Sequence, residues 1–287
     1  MFTRQLIGLR ERFHPLHKLR QSPLMARHIL PLFDRPIFIT MHGVGWPVRV
    51  RRMRHATYVV DNRALEPGVV AVFRTVQELA APRVFWDVGA NMGFYSWLLM
   101  TADPALQVVL FEPDPDNILL LQATIAHAGL QRVALVTAAA SAVTGMARFV
   151  MDADSGSTSH LESGGSGVGG SVIEVETTTL DTELGRHPPP DLMKIDVEGA
   201  EGLVLAGASA LMETHKPWII IEAAAGLGSA PMQVLAAAGY SFANADDPLK
   251  PASTGANFLC IPRGATFTVE HIAARFPHHY DRWIAGR

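Results

Sequence analysis

The stretch FWDVGANMGFYSW, residues 85–97, closes an apolar run on Asp87, places glycines at Gly89 and Gly93, and passes at once into an aromatic-rich helical pattern. An acidic strand end, a Gly-x-x-x-Gly turn and a helix start outline a nucleotide-cofactor site. Gly89 permits a tight turn that runs through Ala90 and Asn91, and Gly93 permits close approach of helix and ligand, with the amides of the helix N-terminus facing the ligand. Glu112 ends the next apolar run, 19 residues past Gly93. There an acidic side chain accepts hydrogen bonds from both ribose hydroxyls and repels a 2′-phosphate. The turn Gly-Ala-Asn-Met-Gly lacks the G-x-G-x-x-G spacing that brings backbone up to a pyrophosphate. A cofactor with ribose and adenine but no phosphate fits best, and S-adenosylmethionine is that cofactor.

A second set of groups suits proton handling. Asp196 and Glu198 flank Val197, so an extended strand end points both carboxylates the same way, and Gly199 then opens a helix. Two carboxylates beside a helix N-terminus could bind the cofactor, act as a base or hold a divalent cation. Helix capping is the plain alternative for both. His160 has a suitable unperturbed pKa, although solvent exposure is the simpler expectation for a histidine in a Gly- and Ser-rich segment. Glu222, ending the apolar run WIIIE, could face a substrate cleft, whereas Glu201 reads as a cap or a solvated residue. Trp86 and Tyr95 read as core rather than as a substrate platform. No histidine pattern matches a zinc site, and no metal ligand is assigned.

Other functions share part of this pattern. An NAD-dependent oxidoreductase or epimerase would use the same first βαβ unit, but would want a richer glycine turn and a Tyr-x-x-x-Lys pair, which this chain lacks. A catalytically silent binding subunit on the same fold would bind cofactor without turnover.

The elements that must position these residues follow from periodicity. Apolar runs at 83–89, 107–113, 132–140, 191–199, 217–223, 239–245 and 257–263 read as strands, and 92–102, 115–129, 199–214 and 229–238 read as helices. Their alternation implies an α/β fold, a doubly wound, mostly parallel sheet with both faces covered. Pro115 after Asp114, and Gly129 beyond the last apolar position, punctuate one helix. Residues 141–190 break the rhythm with two strand-like runs around SGSTSHLESGGSGVGGS, a predicted mobile loop that is either a lid or a bland insertion. Residues 1–80 form a candidate N-terminal cap or oligomerisation segment, and 81–287 the catalytic domain.

The 287 residues are 48% hydrophobic and 18% charged, a composition that folds. A net charge of −3 argues against a general nucleic-acid binder. Basic residues nonetheless cluster at Arg4, Arg10, Arg12, Lys18, Arg20 and Arg27, and again at Arg49, Arg51, Arg52 and Arg54. These are either a solvated surface or a patch for an anionic substrate, lipid surface or partner. The lone cysteine, Cys260, has no intrachain partner, and no long uncharged apolar run or signal-peptide pattern is present. A soluble, cytoplasmic protein is expected.

At this point the chain resembles the FkbM-type methyltransferases, class I enzymes dependent on S-adenosylmethionine. The matching pieces are FWDVGANMGFYSW, LFEPDPDNILLLQATIAHAGL, VALVTAAAS, TTTLDTEL and, most specific, DLMKIDVEGAEGLVLAGA, in the family's order over about residues 83–223. The resemblance implies a Rossmann-like, seven-stranded methyltransferase sheet with an antiparallel last strand, and O-methylation of a hydroxyl on a sugar, a glycan or a secondary metabolite. It also implies roles by position. Asp87, Gly89, Ala90, Asn91 and Gly93 surround the methionine part, Glu112 holds the ribose, Ala140 with Ser141 lies by the adenine, and Asp196 sits beside the transferable methyl. The chain departs from many class I enzymes in having TAAAS where they place an acidic residue for the adenine amino group.

Overall fold

A computed structural model of the chain describes residues 30–151, 160–161, 171–223 and 225–286. The first basic cluster lies outside them, as does the Gly- and Ser-rich stretch apart from residues 160, 161 and 171. In chain order the strands are β1 (Pro36–Ile39), β2 (Val48–Arg51), β3 (Val84–Val88), β4 (Gln107–Phe111), β5 (Val133–Val136), β6 (Ala139–Ala140), β7 (Gly145–Met151), β8 (His160–Leu161), β9 (Ser171–Thr178), β10 (Leu192–Ile195), β11 (Trp218–Glu222), β12 (Ser241–Asn244) and β13 (Asn257–Ile261). The helices used below are α1 (Ala56–Asp61), α2 (Pro67–Ala80), α3 (Phe94–Ala102), α4 (Pro115–Ala128), α5 (Leu180–Glu183), α6 (Glu201–Ala206), α7 (Ser209–Thr214), α8 (Ala230–Ala237) and α9 (Val269–Ile284).

Seven strands make the main sheet in the order β12-β13-β11-β10-β3-β4-β5. The strands from β11 to β5 are parallel, and β13 runs antiparallel to both β11 and β12. The order reverses between β3 and β10, so the crevice for a ligand lies at their carboxyl ends. Side chains alternate between two cores, as period-two strands covered on both faces must. Phe85, Val108, Leu110 and Ile220 enter the core on the α2, α3 and α9 side. Trp86, Val109, Phe111 and Ile219 enter the other, beneath α6, α7 and α8.

Two expected elements divide. The strand expected over 132–140 leaves the main sheet after Val136, and Ala139–Ala140 pairs instead with Thr177–Thr178 in a second sheet of order β6-β9-β7-β8. The helix expected over 199–214 becomes α6 and α7. The Asp181 carboxylate accepts the amides of Ala210 and Leu211 at 3.0 and 2.9 Å, capping a fresh start after Gly207.

Residues 36–80 share the main core, with Val69, Val70, Val72, Phe73 and Val76 of α2 buried beside Phe85. The second arginine cluster works inside this region. Arg51 Nε donates to Asp34 at 2.8 Å, and Arg54 Nη2 lies 2.6 Å from Asp114 Oδ2 with both side chains buried. Asp114 also caps α4 by accepting the Asp116 amide at 2.8 Å. Breaking a buried pair leaves one charge uncompensated, so Arg54→Met is expected to destabilise the fold by about 3–5 kcal/mol, read from the urea midpoint at unchanged m-value.

Candidate active site

A cavity of about 260 Å³ opens at the carboxyl ends of β3, β4, β10 and β11. Its walls include Asp87, Gly89, Ala90, Asn91, Glu112, Ala140, Asp196 and Glu198, which brings together most of the residues singled out by the sequence. Gly93 and Ser141 do not line it. Phe149 and Leu161 of the second sheet also line it, so the interval that breaks the α/β rhythm supplies an apolar wall.

The turn after β3 is held from within. Gly89, at φ +82°, lies so close to β10 that a Cβ there would sit 1.9 Å from the Asp196 carbonyl oxygen. The amides of Gly89 and Ala90 both donate to the Phe111 carbonyl at 3.0 Å, Gly93 donates to Ala90 at 2.7 Å, and Asn91, itself at φ +52°, donates to Glu112 Oε2 at 2.6 Å. These four amides of the turn are therefore spent inside the protein. Gly93, at φ +84°, has a packing role: a Cβ there would lie 2.4 Å from the Trp97 indole.

Glu112 is 4% exposed, and its second oxygen accepts the Asp114 amide at 2.9 Å. Burial pushes its carboxyl up to about 8 against the Asp114 and Asn91 amides and the Asn117 side chain that favour its charge. Asn117, 3% exposed, lines the cavity with its Oδ1 buried and without a hydrogen-bond partner. A buried acceptor left open beside a carboxylate suits a ligand rich in hydroxyl or amino donors. His55 braces the same wall. Its Nδ1 accepts the Arg51 amide at 3.0 Å, so its Nε2 carries the proton and donates to Asn91 Oδ1 at 3.1 Å.

The other end of the cavity is acidic. Lys194 Nζ lies 2.5 Å from Asp196 Oδ2 and 5.1 Å from the Tyr95 ring centroid. Burial opposes the Lys194 charge, yet the carboxylates of Asp196, Asp87 and Glu66 hold its pKa above the ordinary value. Burial would raise Asp196, but the Lys194 ammonium holds its carboxyl below the usual range. Burial raises Asp87, whose Oδ2 accepts Ser96 Oγ at 2.6 Å. Tyr95 donates its hydroxyl to Glu66 Oε2 at 2.6 Å. Glu222, at the end of β11, is hydrogen-bonded to Asp196, and burial together with Asp196, Glu198 and Glu66 pushes it up to about 8.

Asp196 and Glu198 both reach the cavity by a route other than shared strand alternation. The strand stops at Ile195, Glu198 takes a left-handed conformation at φ +53°, and the helix begins at Glu201 rather than Gly199. Glu201 turns back to accept the Gly199 amide at 3.0 Å. Ser141 is buried behind the wall, its amide donating to the Thr178 carbonyl at 2.8 Å. The His160 side chain lies outside the described residues. Among the described residues, no group of three or more His, Cys, Asp and Glu side chains is placed to hold a metal ion, and no helix is long and apolar enough to cross a membrane.

The methyltransferase FkbM domain matches residues 87–242, more than half of the chain. The chain belongs to the FkbM methyltransferase family. A hexuronic acid methyltransferase of Haloferax volcanii, AglP, is 27% identical over 200 residues, covering 67% of this chain and 76% of that protein. A crystal structure of methyltransferase FkbM from Methylobacillus flagellatus KT is 16% identical with a TM-score of 0.42, over 62% of this chain and 43% of that one. This chain thus spans less than half the length of that relative. An S-adenosylhomocysteine-bound methyltransferase of Podospora anserina, PaMTH1, is 12% identical with a TM-score of 0.37, over 92% of this chain and 86% of that one.

Within this FkbM-family site, sequence reasoning gave no role to Lys194, Asn117, His55, Glu66 or Tyr58. A signal for Lys194 was legible: a lysine inside a short apolar strand of a parallel sheet is buried and needs a counter-ion, and Asp196 stands two residues on. His55 titrates in a testable window. Burial lowers it from 6.5 to about 4. Between those values the unfolded chain binds a proton that the folded one refuses, so stability falls as pH drops through the window. The shift corresponds to about 3 kcal/mol, and His55→Gln is expected to remove that part of the difference between urea unfolding at pH 6.5 and at pH 4.

Proposed function

We propose that this FkbM-family protein is an S-adenosylmethionine-dependent O-methyltransferase whose acceptor is a hydroxyl of a sugar, glycan or related metabolite. The observation that carries the reading is one cavity with two chemically different ends. Glu112 and the open Asn117 Oδ1 meet hydroxyl and amino donors at one end, and a carboxylate cluster around Lys194 meets positive charge at the other. The sugar class is supported by the hexuronic acid methyltransferase to which the chain is similar.

Bound there, S-adenosylmethionine supplies a methyl group that passes from a positively charged sulfur to an acceptor oxygen, the C–S electron pair staying on sulfur. Glu112 accepts the ribose hydroxyls, and Asn117 Oδ1 lies beside it as a further acceptor. Ala140 offers an apolar surface to the adenine. Asp87, Ala90 and Asn91 form the wall around the methionine part, and Gly89 brings that wall against β10. Asp196 and Glu198 face the transferring methyl, and the acceptor enters past Phe149 and Leu161, whose apolar surface excludes water from the reacting end.

Calorimetric titration with S-adenosylhomocysteine, with NAD as the comparison, tests the cofactor before any acceptor is known. Micromolar binding of the first and none of the second is expected, and binding of NAD alone would overturn the reading. Glu112→Ala is expected to weaken S-adenosylhomocysteine binding by about 1–3 kcal/mol through lost ribose hydrogen bonds. Unchanged affinity would remove the ribose role.

A further inference from the structure

Six carboxyl groups line the cavity, Glu66, Asp87, Glu112, Asp196, Glu198 and Glu222, and among the described lining residues Lys194 is the one cation. So many acidic groups in so confined a space compete for charge, and the contacts of one of them, Glu222, indicate where a proton rests. Glu222 closes β11 after Trp218–Ile221, a run buried along its length that fixes its backbone beside β10. Its carboxyl is half-buried and hydrogen-bonded to Asp196, one strand away. Two carboxyls in hydrogen-bond contact hold a single proton between them. The Lys194 ammonium, 2.5 Å from Asp196, keeps the charge on Asp196, which leaves the proton on Glu222.

The surroundings of Glu222 reinforce that choice. From β10 it faces Asp196 and, behind it, Lys194. From the turn after β10 it faces Glu198, and from the segment before α2, Glu66. Asp87 of β3 acts on Lys194. The residue paired with it on β13, Asn257, is uncharged and donates its amide to Asp246 Oδ1 at 2.9 Å. Three carboxylates press on Glu222, and the single ammonium is already engaged by another.

We propose that Glu222 is the catalytic base of the reaction assigned above, and that it releases its proton to solvent when a sulfonium cofactor occupies the cavity. The proposal rests on that functional reading. The argument from charge is direct: an opposite charge within about 4–6 Å favours the ionised carboxylate by about 1–3 pH units, enough to bring a group near 8 to neutrality or below. Glu222 is then an anion when the acceptor hydroxyl arrives. It takes the hydroxyl proton as the oxygen–carbon bond forms, and the positive charge that had kept it ionised disappears in the same event. Its affinity for the proton rises as it receives it. The proton stays on Glu222 in the product complex and leaves when product is exchanged for fresh cofactor, so protons balance over one turnover.

S-adenosylmethionine and S-adenosylhomocysteine share adenine, ribose, amino and carboxylate groups and differ by the methyl group and the sulfur charge, so their comparison isolates the sulfonium. Binding of each to the wild-type protein is measured calorimetrically at pH 7 in two buffers of different ionisation enthalpy, which gives the protons released. Release with S-adenosylmethionine exceeding that with S-adenosylhomocysteine by about 0.4–0.9 proton per site is expected, since any proton that leaves Glu112 on ribose binding is common to both. Equal release with the two compounds would overturn the proposal while leaving the cofactor assignment intact; binding of neither would overturn the functional reading and the proposal together. In Glu222→Gln the excess release with S-adenosylmethionine over S-adenosylhomocysteine is expected to vanish, with S-adenosylhomocysteine affinity within about threefold of wild type and turnover at least about 100-fold lower. Persistence of that excess in the variant would assign the proton to another carboxyl and overturn the proposal. Should the variant fail to fold, the wild-type comparison decides alone.

Discussion

The carbonyl of Asp196 occupies the space that any side chain on Gly89 would need, and this backbone contact sets the spacing of the whole crevice. It lets β3 and β10 end side by side at the point where the strand order reverses, before each chain turns away. Once those ends are this close, Asp87 of β3 and Asp196, just past the end of β10, face one small volume, and Lys194 stands directly opposite Asp87 in the sheet. The lysine is therefore a consequence of the geometry. Two buried carboxylates facing one cavity repel, and an ammonium on the same sheet is the least costly counter-ion available. Its desolvation is offset because it meets Asp196 directly and Asp87 and Glu66 at longer range. The aromatic face of Tyr95 adds a further favourable surface.

The region before β3 is part of this site, and its contacts show how. Arg54 holds Asp114, two residues beyond Glu112. His55 holds the carboxamide of Asn91, whose amide in turn holds Glu112. Glu66 accepts the hydroxyl of Tyr95. The first two contacts brace the Glu112 wall of the cavity, and the third holds Tyr95 at its acidic end. A residue such as Asn91, kept at positive φ, stays there only when its surroundings over-determine it, and His55 on one side with Glu112 on the other do so. A neutral, buried imidazole is well suited because its protonated nitrogen can satisfy the carboxamide oxygen without adding charge to an already crowded site.

Much of this was legible in the sequence because strands and glycine turns are local signals. The apolar runs place the parallel strands, Asp87 and Glu112 read as strand ends, and the block around Asp196 marks the fourth strand. What escaped depends on partners distant in the chain. Gly93 reads as a ligand contact, but its space is taken by Trp97, which only the packed helix reveals. The run 132–140 is continuous in hydrophobicity, yet Ala139–Ala140 pairs with residues nearly forty positions away and so leaves the main sheet. Asp196 and Glu198 do share a site, for a reason that alternation does not supply: the left-handed backbone at Glu198 turns the chain between them. His55 and Asn117 carry no local pattern at all, since their roles arise from a buried hydrogen bond and a buried acceptor.

Two carboxyls in the cavity, Glu112 and Glu222, are both pushed up to about 8, and their partners make them chemically opposite. Glu112 is surrounded by donors, the amides of Asn91 and Asp114 and the Asn117 side chain, all of which are satisfied by a carboxylate. Burial and the nearby Asp114 charge resist its ionisation, so a ligand that brings hydroxyl donors adds to the hydrogen bonds that already favour the anion. Glu222 is surrounded by acceptors, and its hydrogen bond to Asp196 exists only while one of the two carries a proton. Neutral donors do little to change that arrangement; positive charge does. The strand order keeps the two apart, with β3 and β10 between β4 and β11, at a separation of about 14 Å across three strand spacings. The sheet thus fixes a hydrogen-bonding end and a charge-sensing end at a distance set by its own backbone spacing, and the chemistry of each end follows from whether its neighbours donate or accept.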